Sequence, residues 1–405
     1  MRQLENLNVY KDLIKRMLTM VDAGVTDSAP AAYRQPSSVY TDPALFAREK
    51  ATIFKDEPQL VCFSSDLPEK GSYFTFDDLD VPVLLTRDND GKVHAFLNAC
   101  THRAARLKEG CGKTASLSCP YHNWGFDLKG KLRAVWEEKS FGAIDKSLYD
   151  LVRLPVEEKY GMIFAGMHPD VKVSVDEILG HMAPVFEMWD LGATRFVDQH
   201  EWKLKTNWKL ALDTFCEGYH FLALHKKTLG GISIGNTSAF DTFGPEGRNH
   251  RLAFPNESIK RLKEIPEAEW GMDIFNDFQL VHFVYPNISL LVSPVSIEFF
   301  KLYPGANPGE HRTVFRSYVR STNDEKGWDG NDPQAHFDFI CKVVDEEDYW
   351  VSANVMKNLN AGMINFSTFG ANEPALQNMH KAFLRGIGTT PEEAPVGKVG
   401  AVASC

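Results

Sequence analysis

The stretch that decides the fold is NWKLALDTFCEGYHFLALH, residues 207–225. Its apolar residues recur at helical spacing and no proline interrupts it, so the pattern predicts a helix. Glu217 and His220 would share one face of that helix, since they are three residues apart. His220 and His225 are five residues apart, which an ideal helix rotates away from each other. If both bind one metal, the helix must end, kink or carry a π-type turn between them.

Two neutral imidazoles and one carboxylate from elsewhere form the facial triad of non-haem Fe(II) oxygenases, which leaves coordination positions open for O₂ and water. The alternative is that His220 and His225 are polar residues at helix ends with local hydrogen bonds. A second candidate metal site upstream favours the first interpretation.

The composition is that of a globular chain large enough for one large domain or two ordinary ones, with 405 residues, 43% hydrophobic and 24% charged. The net charge of −10 disfavours binding to nucleic acid or to acidic membranes. No apolar run is as long as a membrane span. The N-terminus predicts an amphipathic helix in which Glu5, Lys11 and Asp12 interrupt any signal-peptide core, so we expect a cytoplasmic protein.

The elements before and after the opening stretch differ in type. Asp42 and Pro43 are typical of a helix start within residues 40–54. Short strand-like runs then predict a small antiparallel β-domain: QLVCF, SYFTF, VPVLLTR, KVHAFLN and MIFAGM. We expect residues 228–255 to form a long loop that covers a substrate entrance. The apolar run after it predicts a curved antiparallel sheet, with Phe283, Tyr285, Leu290 and Phe300 as candidate pocket walls.

The second candidate site comprises Cys100 and His102, followed by Cys119 and His122. Seven cysteines in a chain of this length are too few for a disulfide scaffold. Three interpretations of these four residues remain: structural zinc, a Rieske [2Fe–2S] cluster with two His ligands on one iron, or buried thiols without a ligand. A zinc finger normally places both His on a helix, whereas here each segment supplies one Cys and one His.

The two segments that contain these residues, NACTHRAARL and CPYHNWGFDLKGKL, resemble the cluster-binding motifs of Rieske proteins. The later Glu217, His220 and His225 pattern resembles the iron site of Rieske non-haem iron oxygenases, the aromatic-ring-hydroxylating α-subunit family. The resemblance runs from about residue 40 to about residue 383. It implies that Cys100 and Cys119 bind one iron of the cluster, and that His102 and His122 bind the other.

The resemblance also implies the remaining site residues. The closing helix of the family, matched to residues 343–362, places the third iron ligand at Asp348, with Asp345 as the alternative. A solvated acidic helix start is the other interpretation of this acidic cluster. Glu217 occupies the position of the acidic residue that links an iron His to a cluster His of a neighbouring subunit.

The implied fold is α+β: a small antiparallel β Rieske domain inserted in a catalytic domain whose curved antiparallel sheet is covered by helices, a helix-grip, START-like arrangement. We expect an N-terminal helix and linker over residues 1–38, a Rieske domain over 39–165 and a mononuclear iron domain over 166–405.

The implied function is a terminal oxygenase that uses O₂ and electrons from NAD(P)H to hydroxylate or oxidatively demethylate a small organic substrate, aromatic or N-methyl/quaternary ammonium. The implied cofactors are a Rieske [2Fe–2S] cluster and a mononuclear Fe(II). A separate flavin or iron–sulfur reductase, with or without a ferredoxin, would supply the electrons, and the chain would form a homotrimer. Two other classes stay open: a Rieske electron carrier or sensor with an inactive second site, and a zinc-stabilised binding protein.

Overall fold

The chain forms two compact units in a computed structural model that describes residues 7–320 and 332–390. The larger unit comprises Met1–Lys50, Glu177–Trp189 and Thr194–Cys405, and the smaller comprises Ala51–Asp176 with Asp190–Ala193. The larger unit is therefore interrupted in sequence by the smaller one, which is the arrangement of an inserted domain. Residues 39–50 fall in the larger unit, so the division lies later in the sequence than residue 39.

Nine α-helices are described, and none of them is long and apolar enough to cross a membrane. They are α1 (Asn8–Ala23), α2 (Ser38–Thr41), α3 (Pro43–Thr52), α4 (Val175–Leu179), α5 (Ala183–Trp189), α6 (Trp208–Asp213), α7 (Pro333–Val343), α8 (Trp350–Asn360) and α9 (Pro374–Gly386). A π-helical segment, Val344–Tyr349, joins α7 to α8.

Twenty strands are described in the same ranges. They are β1 (Tyr33–Pro36), β2 (Gln59–Phe63), β3 (Ser72–Phe76), β4 (Val83–Arg87), β5 (Val93–Leu97), β6 (Cys111–Lys113), β7 (Leu117–Ser118), β8 (Gly125–Phe126), β9 (Leu132–Ala134), β10 (Arg153–Leu154), β11 (Val156–Lys159), β12 (Met162–Ala165), β13 (Thr194–Leu204), β14 (Ala239–Phe243), β15 (Asn249–Pro255), β16 (Phe278–Val284), β17 (Ile288–Val292), β18 (Ser296–Pro304), β19 (His311–Arg320) and β20 (Phe366–Phe369).

The smaller unit is built from antiparallel strands, as the short apolar runs predict. Its sheets have the orders β10-β5-β4-β3-β6, β11-β12-β2 and β7-β8-β9. The last sheet is a small hairpin system in which Leu117 pairs with Phe126 and Ser118 with Gly125. Phe96, Phe126 and Trp124 are fully buried in the core beneath the Cys/His segments.

The larger unit contains one seven-stranded antiparallel sheet with the order β13-β19-β18-β17-β16-β15-β14. The pairing of β18 with β19 keeps its register over nine residue pairs, whereas the pairing of β13 with β19 spans ten pairs and shifts register between Phe196 and Asp198. Apolar residues of β15 to β19 are almost all buried, since this sheet is covered rather than exposed on one face. Mixed helices and antiparallel sheets confirm the α+β prediction.

The helix predicted over residues 207–225 is much shorter than the pattern indicates. It begins at an N-cap, Asn207, whose side chain accepts a hydrogen bond from Lys209 N at 2.9 Å, and it ends at Asp213. The amides of Phe215 and Cys216 then bond to carbonyls three residues back, which tightens the chain into turns. Glu217, His220 and His225 therefore lie on successive turns and not on one helix face.

The prediction of a long loop over residues 228–255 is also wrong for the second half of this range. Strands β14 and β15 occupy that half and complete one edge of the large sheet. Residues 228–238 remain irregular. The Gly- and Asn-rich composition concealed two short strands because they are separated by a tight turn at Gly244 and Gly247, both with positive φ.

A buried ion pair holds the first turn of α6. The Lys209 ammonium lies 2.6 Å from both carboxylate oxygens of Glu49, and the two side chains are 1% and 3% exposed. Burial lowers the pKa of Lys209, and the charge of Glu49 opposes that change. The indole nitrogen of Trp208 also donates to Glu49, at 3.3 Å. The segment that carries the histidines is thus tied to α3.

We predict that Lys209→Met lowers the free energy of unfolding of the larger unit by about 3–5 kcal/mol, because Glu49 is left buried without its partner. Adding Glu49→Leu to that variant should recover most of the loss. Lys205→Met, at an exposed lysine four residues earlier, is the matched control. Urea unfolding followed by tryptophan fluorescence measures the difference, and equal stability of Lys209→Met and Lys205→Met would contradict the role of the pair.

Candidate metal centres

Two matching turns present the Cys/His side chains of the smaller unit. In the first, Cys100 N donates to Ala105 O and Ala104 N donates to Cys100 O, both at 2.8 Å. In the second, Cys119 N donates to Trp124 O and Asn123 N donates to Cys119 O, both at 2.9 Å.

The fifth residue of each turn, counting from the cysteine, has a left-handed backbone: Ala104 at φ 57° and Asn123 at φ 54°. A non-glycine residue seldom adopts this conformation, and such strain is found mostly at functional sites. Each turn therefore carries a thiol at its first residue and an imidazole close behind it, His102 at the third residue and His122 at the fourth.

Aromatic side chains surround the two imidazoles. The rings of His102 and His122 lie 4.7 Å apart, and the Trp124 indole stacks on His102 with an interplanar angle of 6° at 4.7 Å. Tyr121, by contrast, is 61% exposed, with its ring centroid 3.7 Å from that of His122. Trp124 therefore packs over the site from inside, and Tyr121 covers it from the solvent side.

The four donors fit an iron–sulfur group. The Nδ1 atoms of both His102 and His122 are buried and have no hydrogen-bond partner. Burial lowers the pKa of His102, and the neighbouring His122 lowers it further, which favours the neutral imidazole that binds metals. Burial also raises the pKa of the Cys100 thiol to about 11, with a contribution from Cys119. A cationic group between the turns would stabilise both thiolates and use both orphaned nitrogens.

The second centre joins three donors of the larger unit. The Nε2 atoms of His220 and His225 lie 3.1 Å apart. Asp348 Oδ1 lies 3.6 Å from the first and 3.4 Å from the second. This oxygen is buried and has no hydrogen-bond partner. Within the described residues, these three side chains form the one group of His, Cys, Asp or Glu donors that converges within 4.8 Å.

Each histidine of this trio is held from behind by a glutamate. His220 Nδ1 is in contact with Glu217 Oε1, and His220 N donates to Glu217 Oε2 at 3.1 Å. His225 Nδ1 lies 2.5 Å from Glu347 Oε2, which also accepts a hydrogen bond from Thr228 Oγ1 at 2.8 Å. A carboxylate on Nδ1 fixes the ring and leaves Nε2 as the free donor, which is the usual arrangement behind metal-bound histidines.

Sequence reasoning missed Glu347. The signal was present, since Glu347 is adjacent to Asp348 in the acidic cluster, but adjacent residues of an α-helix point in different directions. The π-helical segment Val344–Tyr349 inserts an extra residue into the turn here, and both side chains reach the histidines. Of the three alternatives expected for residues 207–225, the helix ends, at Asp213, and a π-type turn occurs instead in the segment that supplies the carboxylates.

The same geometry separates the two candidate aspartates. Asp348 is 7% exposed and lies against both histidines, whereas Asp345 is exposed and is not part of the converging group. The charge of His225 reflects this environment. Burial lowers its pKa, but the negative charges of Asp348 and Glu347 outweigh burial and raise the pKa overall. A divalent cation would take the place of that proton.

An apolar cavity borders the trio. About 570 Å³ of empty space lies within and in front of it, open solvent included, and His220, His225 and Asp348 form part of its wall. Of the predicted wall residues, Phe300 lines it, whereas Phe283, Tyr285 and Leu290 are buried elsewhere. The strand directions explain the difference, because Leu291, next to Leu290 on β17, is the residue that points inward.

Sequence comparisons identify both units. Residues 57–145 match the Rieske [2Fe-2S] domain, and residues 191–388 match the ring hydroxylating alpha subunit (catalytic domain). The chain belongs to the Rieske non-haem iron oxygenase α-subunit family. Cofactors of this family are the Rieske cluster and one mononuclear iron, for which the two donor sets above are suited in number and type.

Relatives of this Rieske oxygenase α subunit fall into two groups. Chloroplastic choline monooxygenase of Spinacia oleracea is 30% identical over 273 residues, 64% of this chain and 57% of the relative. The α subunit of biphenyl 2,3-dioxygenase of Rhodococcus jostii is 26% identical over 397 residues, 88% of this chain and 82% of the relative. The alignments to three further relatives, two choline monooxygenases and a glycine betaine monooxygenase, span between 44% and 62% of their lengths.

Solved structures confirm the fold. The quaternary ammonium Rieske monooxygenase CntA in complex with an inhibitor superposes with a TM-score of 0.74 at 21% identity, over 89% of this chain and 95% of the other. Naphthalene 1,2-dioxygenase with indole in its active site superposes with a TM-score of 0.65 at 19% identity, over 90% and 94% of the two chains. At these identities the likeness establishes architecture alone.

We expect Asp348→Ala to empty the mononuclear site while the visible absorption of the cluster survives, because the two donor sets belong to different units. The iron-to-sulfide ratio of the purified protein measures this loss. Asp345→Ala is the matched control and should retain all iron. If Asp345→Ala loses iron and Asp348→Ala keeps it, the assignment of the carboxylate ligand is wrong.

We also expect Glu347→Gln to weaken iron binding at the mononuclear site by about 10–100-fold, since losing a carboxylate behind a metal-bound histidine has this typical effect. Glu346→Gln, at an exposed neighbour in the same π-helical segment, should bind iron normally. Anaerobic Fe(II) titration of protein depleted of mononuclear iron gives both constants. Equal affinities for the two variants would show that Glu347 only contacts His225 without stabilising it.

Proposed function

We propose that this chain is a terminal oxygenase: it uses O₂ and electrons from NAD(P)H to hydroxylate or oxidatively demethylate a small organic substrate. The observation that supports the proposal most strongly is the convergence of His220, His225 and Asp348 on the wall of an apolar cavity. Three protein ligands leave coordination positions open. The cavity places an organic molecule beside those positions.

The two donor sets have separate tasks in this proposal. Cys100, His102, Cys119 and His122 would hold the cluster, and His220, His225 and Asp348 would hold the iron. When bound, the cluster supplies one electron at a time at a potential raised by its imidazole ligands, and the iron activates O₂ beside the substrate. The protein orients both imidazoles of the iron site through Glu217 and Glu347, and its apolar cavity wall excludes water from the reacting carbon.

The proposed partners follow from the same division. A separate flavin or iron–sulfur reductase, with or without a ferredoxin, would deliver electrons to the cluster. We propose a homotrimer in which the cluster of one subunit serves the iron of its neighbour. Inter-subunit electron transfer is described for CntA, one of the solved structures that this chain resembles. The cytoplasmic location stays a prediction, since relatives include chloroplastic enzymes.

An electron carrier or sensor with an inactive second site is the other candidate, and the geometry does not favour it. A disused site would have no need to keep two histidines, each with a carboxylate on Nδ1, and a third, buried carboxylate without a hydrogen bond. Asp348 Oδ1 in particular is costly to bury without a partner. Its position indicates a bound cation.

The direct test is turnover. Purified protein, a Rieske oxygenase reductase and NADH should consume O₂ and incorporate labelled oxygen into a member of a panel of aromatic and N-methyl compounds. Asp348→Ala is the control and should give no product. Stoichiometric zinc with no acid-labile sulfide, or an iron-replete protein that passes electrons to acceptors but oxygenates nothing in the panel, would contradict the proposal.

A second prediction concerns Glu217, whose carboxylate is 14% exposed beside His220. In the proposed trimer it also accepts a hydrogen bond from a cluster histidine of the neighbouring subunit. At saturating Fe(II), Glu217→Gln should then retain both metal centres and the trimer, while reoxidation of the reduced cluster in a single turnover slows by about 10–100-fold. Glu217→Asp keeps the charge and should restore part of the rate. If the cluster of Glu217→Gln is reoxidised at the wild-type rate with normal product yield, Glu217 only orients His220 and has no role in electron transfer.

A further inference from the structure

The cavity beside the iron ligands offers few polar groups. Four phenylalanines form much of its wall: Phe215, Phe221, Phe254 and Phe300. Leucine, isoleucine and valine side chains supply most of the rest. Apart from His220, His225 and Asp348, its polar lining residues are Thr214 and Gln279, and no Lys, Arg or Glu of the described chain lines it.

Gln279 is the lining residue with hydrogen-bonding capacity to spare. It lies on β16, where its backbone pairs with Phe254 of β15, and the Phe254 ring lines the same cavity. Across residues 7–320 and 332–390, its side-chain amide makes no hydrogen bond. Thr214 is different, because its hydroxyl donates to Ala211 O at 2.9 Å and can only accept from a ligand. The Gln279 amide is thus a free donor and a free acceptor facing an apolar space.

The charge of the lining argues against an ionic substrate. A quaternary ammonium or a carboxylate entering this cavity would lose its hydration, and burial of an unpaired charge is costly. The Asp348 carboxylate would be neutralised by the metal it holds. Phenylalanine rings can stabilise a cation, although less well than Trp does. No Trp or Tyr, which bind cations better or carry a polar group, lines the described cavity.

We propose, on the basis of the proposed oxygenase function, that the substrate is an uncharged, mostly apolar aromatic molecule. One polar group on it would hydrogen-bond to the Gln279 side chain and thereby set which carbon faces the iron. Gln279 is then a specificity-determining residue. This substrate class differs from choline and carnitine, the compounds named for several relatives of the chain.

Three probes of nearly equal shape separate charge from hydrogen bonding. They are 4-tert-butylphenol, its cationic isostere 4-hydroxyphenyltrimethylammonium, and tert-butylbenzene, which lacks the hydroxyl. Calorimetry on the anaerobic holoenzyme gives the three dissociation constants without turnover. We expect the neutral phenol to bind at least about 10-fold more tightly than the cation. Loss of the hydroxyl should weaken binding by about 3–10-fold.

Gln279→Leu tests the assigned residue. It should abolish the difference between 4-tert-butylphenol and tert-butylbenzene while iron content and cluster absorption stay unchanged. Gln199→Leu, the same change at an exposed residue of β13, should preserve the difference.

Three outcomes overturn the inference: tighter binding of the cation, an unchanged hydroxyl effect in Gln279→Leu, or no binding of any probe to iron-replete protein. A preparation that lacks the mononuclear iron or the sulfide under all conditions would instead contradict the proposed function itself.

Discussion

The organisation of the larger unit depends on bringing two imidazole nitrogens and one carboxylate oxygen together. The carboxylate oxygen has no hydrogen-bond partner there. The Nε2 atoms of His220 and His225 are 3.1 Å apart, and the buried Asp348 Oδ1 is within 3.6 Å of both. Two imidazoles and a carboxylate at this spacing are an expensive arrangement in an apolar setting. A divalent cation resolves the conflict, because each of the three atoms then becomes a ligand.

Local irregularities in two segments produce this convergence. On one side, α6 ends at Asp213, and the chain continues in tight turns that bring His220 and His225 round to one point. On the other side, the π-helical segment between α7 and α8 points Glu347 and Asp348 toward the histidines. Regular helices in either place would separate the ligands. The Lys209–Glu49 pair and the Asn207 cap fix where the first irregularity begins.

Much of the fold and most of the metal-binding residues could be predicted from the sequence. What could not be predicted depends on contacts between distant segments. Cys100, His102, Cys119 and His122 were recognisable because their spacing within two short segments is local, and the structure gives them two matching turns. The strands of the smaller unit were predicted for the same reason. The contact between His225 and Glu347 joins residues 122 apart in sequence, and it depends on a π-type turn that local composition does not specify.

The errors have a similar origin. Apolar residues do recur at helical spacing over residues 207–225. After Asp213, however, the chain buries them through successive turns and not through one helix. β14 and β15 were missed because the pairing of β15 with β16 and of β14 with β15 outweighs a loop-like composition. Pocket walls such as Leu291 depend on which face of a strand points inward, and a shift of one residue reverses that choice.

The most direct test of the account is the coordination of each iron in a single preparation. Mössbauer spectra of isotopically enriched, dithionite-reduced protein should resolve a cluster iron with sulfur ligands alone, a cluster iron with nitrogen ligands, and a separate high-spin ferrous site with nitrogen and oxygen ligands. Asp348→Ala should remove the third signal alone. Spectra with sulfur-coordinated iron only, unchanged by Asp348→Ala, would contradict the claim that this chain assembles two distinct metal centres.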